Sequence, residues 1–381
     1  MAVRCLDEVS LMIYADNAAT TQLDIDAFNA MKRYLLDEYG NASQPYSFAR
    51  KPKEALAEAR TTIAECINAL PEEIYFTSGG TESDNWAIKG SAIDTTKRET
   101  ITSAFEHHAI LNSCKALEML GFPVTYIWPT SDGVITPDAL TQIITNQTRL
   151  VSIMFANNEI GTIQPIKELC ATAHAHGALF HTDAVQAVGH VKIDVQELGI
   201  DMLSASAHKF NGPKGIGFLY IRRGTRIIPY ADGGAQENQH RAGTENVASI
   251  VGMATALKEN CVAMSKNTTH IQGLEHQLID ALHVSYIPFV RNGSDNKLPG
   301  LISLSFAGAD GEAILHCMDL MGISISTGSA CNSTRTEISH VLQAIRLEGI
   351  LAKGTIRISL GKNNTMEDVN DIVNALVKIL K

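Results

Sequence analysis

A chain of 381 residues, 45% of them hydrophobic, can bury a sizeable core, and its length suits two or three compact domains. Its formal charge of −10 excludes a broad cationic field, so neither nucleic acid nor a membrane is an expected direct partner. Seven cysteines, at positions 5, 66, 114, 170, 261, 317 and 331, form no C-x-x-C pair and no zinc-type cluster, which points to free thiols in a reducing compartment and to no metal site. The N-terminus lacks a signal-peptide pattern, and no run reaches the roughly 18 apolar residues of a membrane span, so the expected location is the cytoplasm.

The first element with a clear face is a helix predicted over residues 51–68, where Ala55, Leu56, Ala59, Ile63, Cys66 and Ile67 recur at helical spacing. From about residue 74 to 222, short β-branched runs alternate with helical stretches, the pattern of crossover units and a mostly parallel sheet. Strands are predicted at 74–77, 100–103, 124–128, 150–155, 179–183, 202–205 and 217–221, several of them continuously apolar, as strands covered on both faces are. Past about residue 262 the pattern changes to LISLSF, AILHCMDLMG, TIRISLG and the helix MEDVNDIVNALVKILK, which marks a smaller second domain.

Four segments carry chemistry. Phe76 to Ser83 contains Gly79-Gly80-Thr81, a turn between strand and helix where backbone N–H groups and a helix N-terminus suit a phosphate. Its plainer reading is a tight turn with Thr81 as N-cap and Asp84 completing a capping-box-like pattern. The strand FHTD ends in Asp183, with Gln186 three positions on; an acid at the carboxyl end of a parallel strand suits a cationic ring nitrogen, or merely caps a helix. In SAHKFNGPKG, Lys209 follows a strand, and a lysine partly withdrawn from water can form a Schiff base, whereas a solvated loop lysine is the common alternative. Cys331 sits among Gly328, Ser329, Asn332 and Ser333, company that suits an exposed loop thiolate rather than the packing role read for Cys66, Cys170 and Cys317. A phosphate cup, a strand-end acid and a Schiff-base lysine in that order are what a pyridoxal 5′-phosphate (PLP) enzyme must supply.

Together these residues closely resemble the cysteine desulfurases of the class V aminotransferase family, in the nitrogen-fixation and iron–sulfur-assembly branch. The resemblance runs from about Tyr14 to the C-terminus through YADNAATT, GNAS, EIYFTSGGTESDNWAIKG, EHHAI, NNEIGTIQPI, HTDAVQAVG, SAHKFNGPKGIG, RAGTENV, STGSAC and IRISLG. It implies an α/β, type I PLP-dependent aminotransferase fold: a large domain over 14–262 with a mostly parallel seven-stranded sheet, and a smaller α+β C-terminal domain over 263–381. Residues 1–13 would pack with the small domain, which carries the cysteine loop 324–338.

The resemblance also implies roles. Lys209 would join PLP, Asp183 would pair with its ring nitrogen, and Gln186 would donate to its phenolic oxygen. His107, rather than His108, would stack on the ring. Ser206, His208, Thr81 and the Gly80 backbone would hold the phosphate, with Thr244 reaching it from the second subunit of a homodimer. Arg357, helped by Asn158, would bind the carboxylate of L-cysteine. Lys209 would remove the Cα proton, and Cys331 would take the sulfur as a persulfide, leaving alanine, with His107 as proton carrier. A sulfur-acceptor protein then serves iron–sulfur cluster, tRNA or DNA sulfur modification. The chain departs from the family at Gln44-Pro45-Tyr46-Ser47, where a histidine is usual, and at Thr336-Glu337-Ile338-Ser339-His340, where a proline is usual. Other readings are a selenocysteine lyase or another class V PLP enzyme, and a non-catalytic scaffold; Cys331 argues against a transaminase, and Lys209 with Cys331 against a scaffold.

Overall fold

A computed structural model describes residues 12–92, 97–327 and 338–381. In chain order, strand β1 (Ile13–Tyr14) precedes helices α1 (Ile25–Leu36) and α2 (Arg50–Ile67). The alternating segment supplies β2 (Ile74–Thr77), α3 (Gly80–Ala92), β3 (Glu99–Ser103), α4 (His108–Met119), β4 (Val124–Ile127), α5 (Pro137–Ile143) and β5 (Thr148–Ser152). It continues with α6 (Ile166–Ala175), β6 (Leu179–Asp183), α7 (Val195–Leu198), β7 (Met202–Ser206) and β8 (Gly217–Ile221). Then come α8 (Val247–Val284), β9 (Val290–Arg291), β10 (Leu301–Ser305), α9 (Gly311–Leu320) and β11 (Ile323–Ser324). The chain ends with α10 (His340–Ala344), α11 (Gly349–Lys353), β12 (Thr355–Ser359) and α12 (Met366–Leu380).

Seven strands form one sheet in the order β2-β8-β7-β6-β5-β3-β4. β8 is antiparallel to both neighbours, and the pairs β7-β6, β6-β5, β5-β3 and β3-β4 are parallel. Each predicted strand is present to within two or three residues at its ends. Strand β5 stops at Ser152, but the chain beyond it still bonds the end of β6, through Ile153 N–H to the His181 carbonyl and Phe155 N–H to the Asp183 carbonyl. Every residue of β7 and β8 is buried, which explains the continuous apolar run of β8 and the small or apolar residues of β7.

Helix α2 buries Ala55, Leu56, Ala59, Ile63, Ala64 and Ile67 and closes on Asn68 in the left-handed conformation. Cys66 departs from the core reading: it is half-buried and meets the thiol of Cys261 on α8. Cys114 and Cys170 are buried, whereas Cys317 is half-buried at the edge of α9.

A second apolar core gathers Ile302, Leu304, Ile356, Ile358, Met318, Val369, Ile372 and Leu376 with Ala15 near the N-terminus. There β1 pairs in parallel with β11, and β10 pairs antiparallel with β12 and β9. Helix α8 runs unbroken across position 262: Ala248 to Leu257 bury in the first core, and Ile271, Leu274, Leu278 and Leu282 in the second. By length and composition α8 could cross a bilayer, contrary to the expectation that no segment reaches that limit. Its apolar residues instead face α1, α2 and α12, as in the core helix of a globular protein.

Candidate cofactor and active site

The carboxyl ends of β3, β5, β6 and β7 open onto one crevice, and β2, antiparallel to β8, points the same way as β7. Just beyond those ends lie His107, Asn158, Asp183, Lys209 and the Gly79-Gly80 turn. This is where open α/β sheets bind ligands.

The turn after β2 is pressed against its neighbours. Gly79 has φ of 150°, and a Cβ on Gly80 would lie 2.5 Å from Val185 Cγ2. The same Gly79 faces Ser206, whose Oγ would sit 3.5 Å from an added Cβ. Helix α3 begins at Gly80, so its first N–H groups are presented beside the Ser206 hydroxyl. The capping alternative fails in detail. Thr81 is exposed within the first turn, and it is Glu82 whose carboxylate reaches back to Ser78 N–H, at 3.1 Å. Asp84 points inward and is 1% exposed, so it caps nothing.

His208 Nδ1 lies 3.1 Å from Thr20 Oγ1, and burial lowers its pKa to about 4, which leaves the imidazole neutral. Thr244 is exposed and lines a surface depression with Thr77, Ser78 and Arg241.

Behind the turn, one nitrogen or oxygen atom from each of Asp84, His107 and Asp183 lies within 4.8 Å of the other two. Asp183 Oδ1 accepts the Val185 N–H at 2.9 Å, in a turn that no helix follows. Burial raises its pKa, while His107 and Lys209 pull it down. His107 is the N-cap of α4: its Nδ1 accepts the Ala109 N–H at 3.2 Å, which leaves Nε2 as the protonated nitrogen of the neutral ring. Burial lowers its pKa. A metal ion would suit this spacing, but Lys209 adds a cation where a metal would need more anionic ligands. The neighbouring His108 lies outside the trio, its ring centroid 4.7 Å from that of His340.

Lys209 Nζ donates to the carbonyls of Ala18 and Ala19 at 2.5 and 2.8 Å, and Gln186 Nε2 donates to the same Ala18 carbonyl at 2.9 Å. The YADNAATT segment thus forms the wall against which the lysine and glutamine are held. Arg357, from β12, is 4% exposed; it donates to the Asn158 carbonyl at 2.9 Å and to Asp16 Oδ1 at 2.7 Å. Among the described residues its Nε is buried without a hydrogen-bond partner. An unpaired donor on a buried guanidinium is costly unless a ligand meets it.

Cys331 lies outside the described residues, as do Thr336 and Glu337. Both flanks of that segment reach the crevice. Ser326 pairs with Arg357 through backbone hydrogen bonds of 2.6 and 3.0 Å. On the other side Ser339 Oγ donates to Glu159 Oε2 at 2.6 Å, and His340 Nε2 lies 2.9 Å from the Glu106 carbonyl. The departures at Ser339 and His340 therefore tie the loop's end to the large unit. Gln44, Tyr46 and Ser47 are exposed on the surface.

The residues that sequence reasoning passed over as chemistry are Asp84, Glu106, His181 and Asp16. The signal was an acidic or basic side chain inside an otherwise apolar run, strongest for His181 in the middle of β6.

The family described as aminotransferase class V matches residues 13–372. Cysteine desulfurase IscS of Dictyoglomus turgidum is 48% identical over 97% of this chain and 94% of its own length. The protein of that name from Methanosarcina thermophila is 44% identical over 97% and 92%. Among solved structures, a NifS-like protein superposes with a TM-score of 0.91 at 36% identity over 97% of this chain and 99% of its own. A structure described as SspA in complex with cysteine gives 0.83 at 36% identity over 93% and 100%. The chain belongs to the class V aminotransferase family. Within that family it falls among the cysteine desulfurases and is an enzyme of that kind.

Proposed function

We propose that this site holds PLP and removes sulfur from L-cysteine, leaving alanine and a persulfide on Cys331 that an acceptor protein then takes. The observation that carries the reading is the meeting of Asp183, His107 and Lys209 at the strand ends, where Asp183 and His107 perturb each other's protonation and Lys209 perturbs both. The residues fit the cofactor. Gly80 has no room for a side chain, Gly79 holds a φ of 150° that favours glycine, the turn presents N–H groups beside Ser206, and Lys209 is held by two carbonyls. PLP, when bound, supplies an electron sink conjugated to the substrate Cα.

The chain does the rest. Gly80, Thr81, Ser206 and the neutral His208 take the phosphate as donors, joined by Thr244 of a second subunit. Asp183 would pair with the ring nitrogen, the His107 imidazole would stack on the ring, and Gln186 Nε2 would donate to the phenolic oxygen. Arg357 binds the substrate carboxylate through its spare N–H groups, with Asn158 beside it. Lys209 Nζ takes the Cα proton. Cys331 Sγ attacks the substrate sulfur; an S–S bond forms as the Cβ–S bond breaks, and His107 Nε2 is placed to hand a proton to the carbon fragment that becomes alanine.

A homodimer is supported by the exposed apolar side chains of Ile25, Phe28, Leu35 and Leu36 on α1, joined by Tyr39 and Phe48. The cytoplasm, where thiols stay reduced, suits the enzyme. Incubation of the purified protein with PLP and cysteine tests the reading: equal amounts of alanine and protein-bound sulfur are expected, and no alanine would sink it.

A further inference from the structure

Beneath the crevice lies a group of buried acids that the reaction above does not use. Asp84, on the inner face of α3, is 1% exposed, and its Oδ1 has no hydrogen-bond partner. Ser204 of β7 hydrogen-bonds to the Asp84 carboxyl. The Ser204 hydroxyl also lies 3.0 Å from His181 Nε2, and the other nitrogen of that ring lies 2.9 Å from Ser152 Oγ. Asp84 Oδ1 is 3.8 Å from His181 Nε2. That histidine offers no positive charge, because burial lowers its pKa to about 3. Glu106, from the turn before α4, is fully buried; its Oε1 accepts from Ser103 Oγ at 2.5 Å and Met154 N–H at 2.9 Å, and its pKa rises to about 8. The Lys209 charge acts on Asp183, and the His107 imidazole lies within 4.8 Å of both Asp183 and Asp84.

Three carboxyls so close in a dry pocket cannot all ionise. Asp183 is the one whose pKa His107 and Lys209 pull down, and burial together with the Asp183 charge pushes Asp84 well above the carboxylate range. We propose that Asp84 is a positioning residue: a buried acid within 4.8 Å of Asp183 that keeps this carboxylate the anion that meets the ring nitrogen. The proposal rests on the reading of the site as a PLP site. A neutral acid close behind the carboxylate lowers its basicity, so the proton between Asp183 and the ring stays on the ring.

The test uses two readouts besides turnover. In apoprotein labelled with 13C at the aspartate carboxyls, a protonated-carboxyl infrared band is expected at pH 7 in wild type and not in Asp84→Asn. No such band in wild type, or a band that persists in Asp84→Asn, overturns the proposal. In holoenzyme reconstituted with 15N-labelled PLP, Asp84→Asn, also a neutral donor, keeps the ring-nitrogen shift of wild type. Asp84→Ala lowers the ring-nitrogen pKa by about one unit, a tenfold drop in the protonated fraction on the alkaline side. An Ala variant with the wild-type shift overturns the proposal, and if that variant does not fold the infrared result decides alone. Uptake of PLP by wild type, read by absorbance, tests the underlying reading separately.

Discussion

Arg357 and Asp16 form a nearly buried ion pair, Nη2 to Oδ1 at 2.7 Å, that joins β12 of the small core to the segment walling Lys209. The pair orients the guanidinium while leaving Nε unpaired. In the proposed reaction an incoming carboxylate would find a pre-oriented donor, with Asp16 supplying the charge that offsets Arg357 until it arrives. Arg357→Lys keeps the charge but loses the fork. Loss of a charge-assisted hydrogen bond costs ~1.5–3 kcal/mol, so KM for cysteine should rise about ten- to a hundredfold with PLP content unchanged. Steady-state kinetics on the PLP-loaded variant checks this.

Lys209→Ala should abolish the visible absorbance of lysine-bound PLP and slow alanine formation by at least about a hundredfold, the usual loss when a positioned base is removed. Circular dichroism should match wild type, because the two carbonyls that Lys209 bridges belong to a wall that has its own hydrogen bonds. Unchanged absorbance would move the anchoring role to another lysine.

The placement of Thr244 is tested by mixing chains. A heterodimer of one Lys209→Ala chain and one Thr244→Ala chain regains one intact site if Thr244 acts across the interface, and so recovers about half the activity of wild type. Thr244 lines a depression beside Ser78 of its own chain, and if it acted there both sites would stay defective.

Glu106 predicts a pH dependence of stability. Its folded pKa of about 8 lies above the ordinary 4.5 because the carboxyl is buried. Unfolding between those values releases a proton, so the group's contribution to stability is full below about pH 4.5 and is lost as pH rises towards 8. Glu106→Gln keeps the acceptor for Ser103 and Met154 but has nothing to titrate. Urea denaturation should therefore show the variant gaining on wild type as pH rises from 5 to 8, by at most ~1.4 kcal/mol per unit. A constant difference across that range would mean the carboxyl is ionised in the folded protein.

The sheet was legible because its strands are covered on both faces: runs such as LFHT and FLYI can only be interior, and Asp183 stands out at the end of one of them. Most of the proposed cofactor residues stood out in the sequence because they lie at or just after the end of a strand. Asp84 was not, since a carboxylate in the first turns of a helix reads as a cap or a solvated side chain, and only the crossing of α3 over β6 and β7 turns it inward. The boundary expected near residue 262 falls inside α8, which passes from the first core to the second without changing its helical pattern. Ser339 and His340 looked like departures from a family pattern, and their contacts to Glu159 and Glu106 exist only once the two cores are packed together.

The central claim is that sulfur leaves cysteine on one particular thiol. The most direct test treats the PLP-loaded protein with L-cysteine, traps thiols, and locates the added sulfur by mass spectrometry of proteolytic peptides, in wild type and in Cys331→Ser. The account predicts one extra sulfur on the Cys331 peptide, with the variant retaining PLP but carrying none. Sulfur on another cysteine peptide in wild type, or still bound to the Cys331→Ser protein, would contradict it.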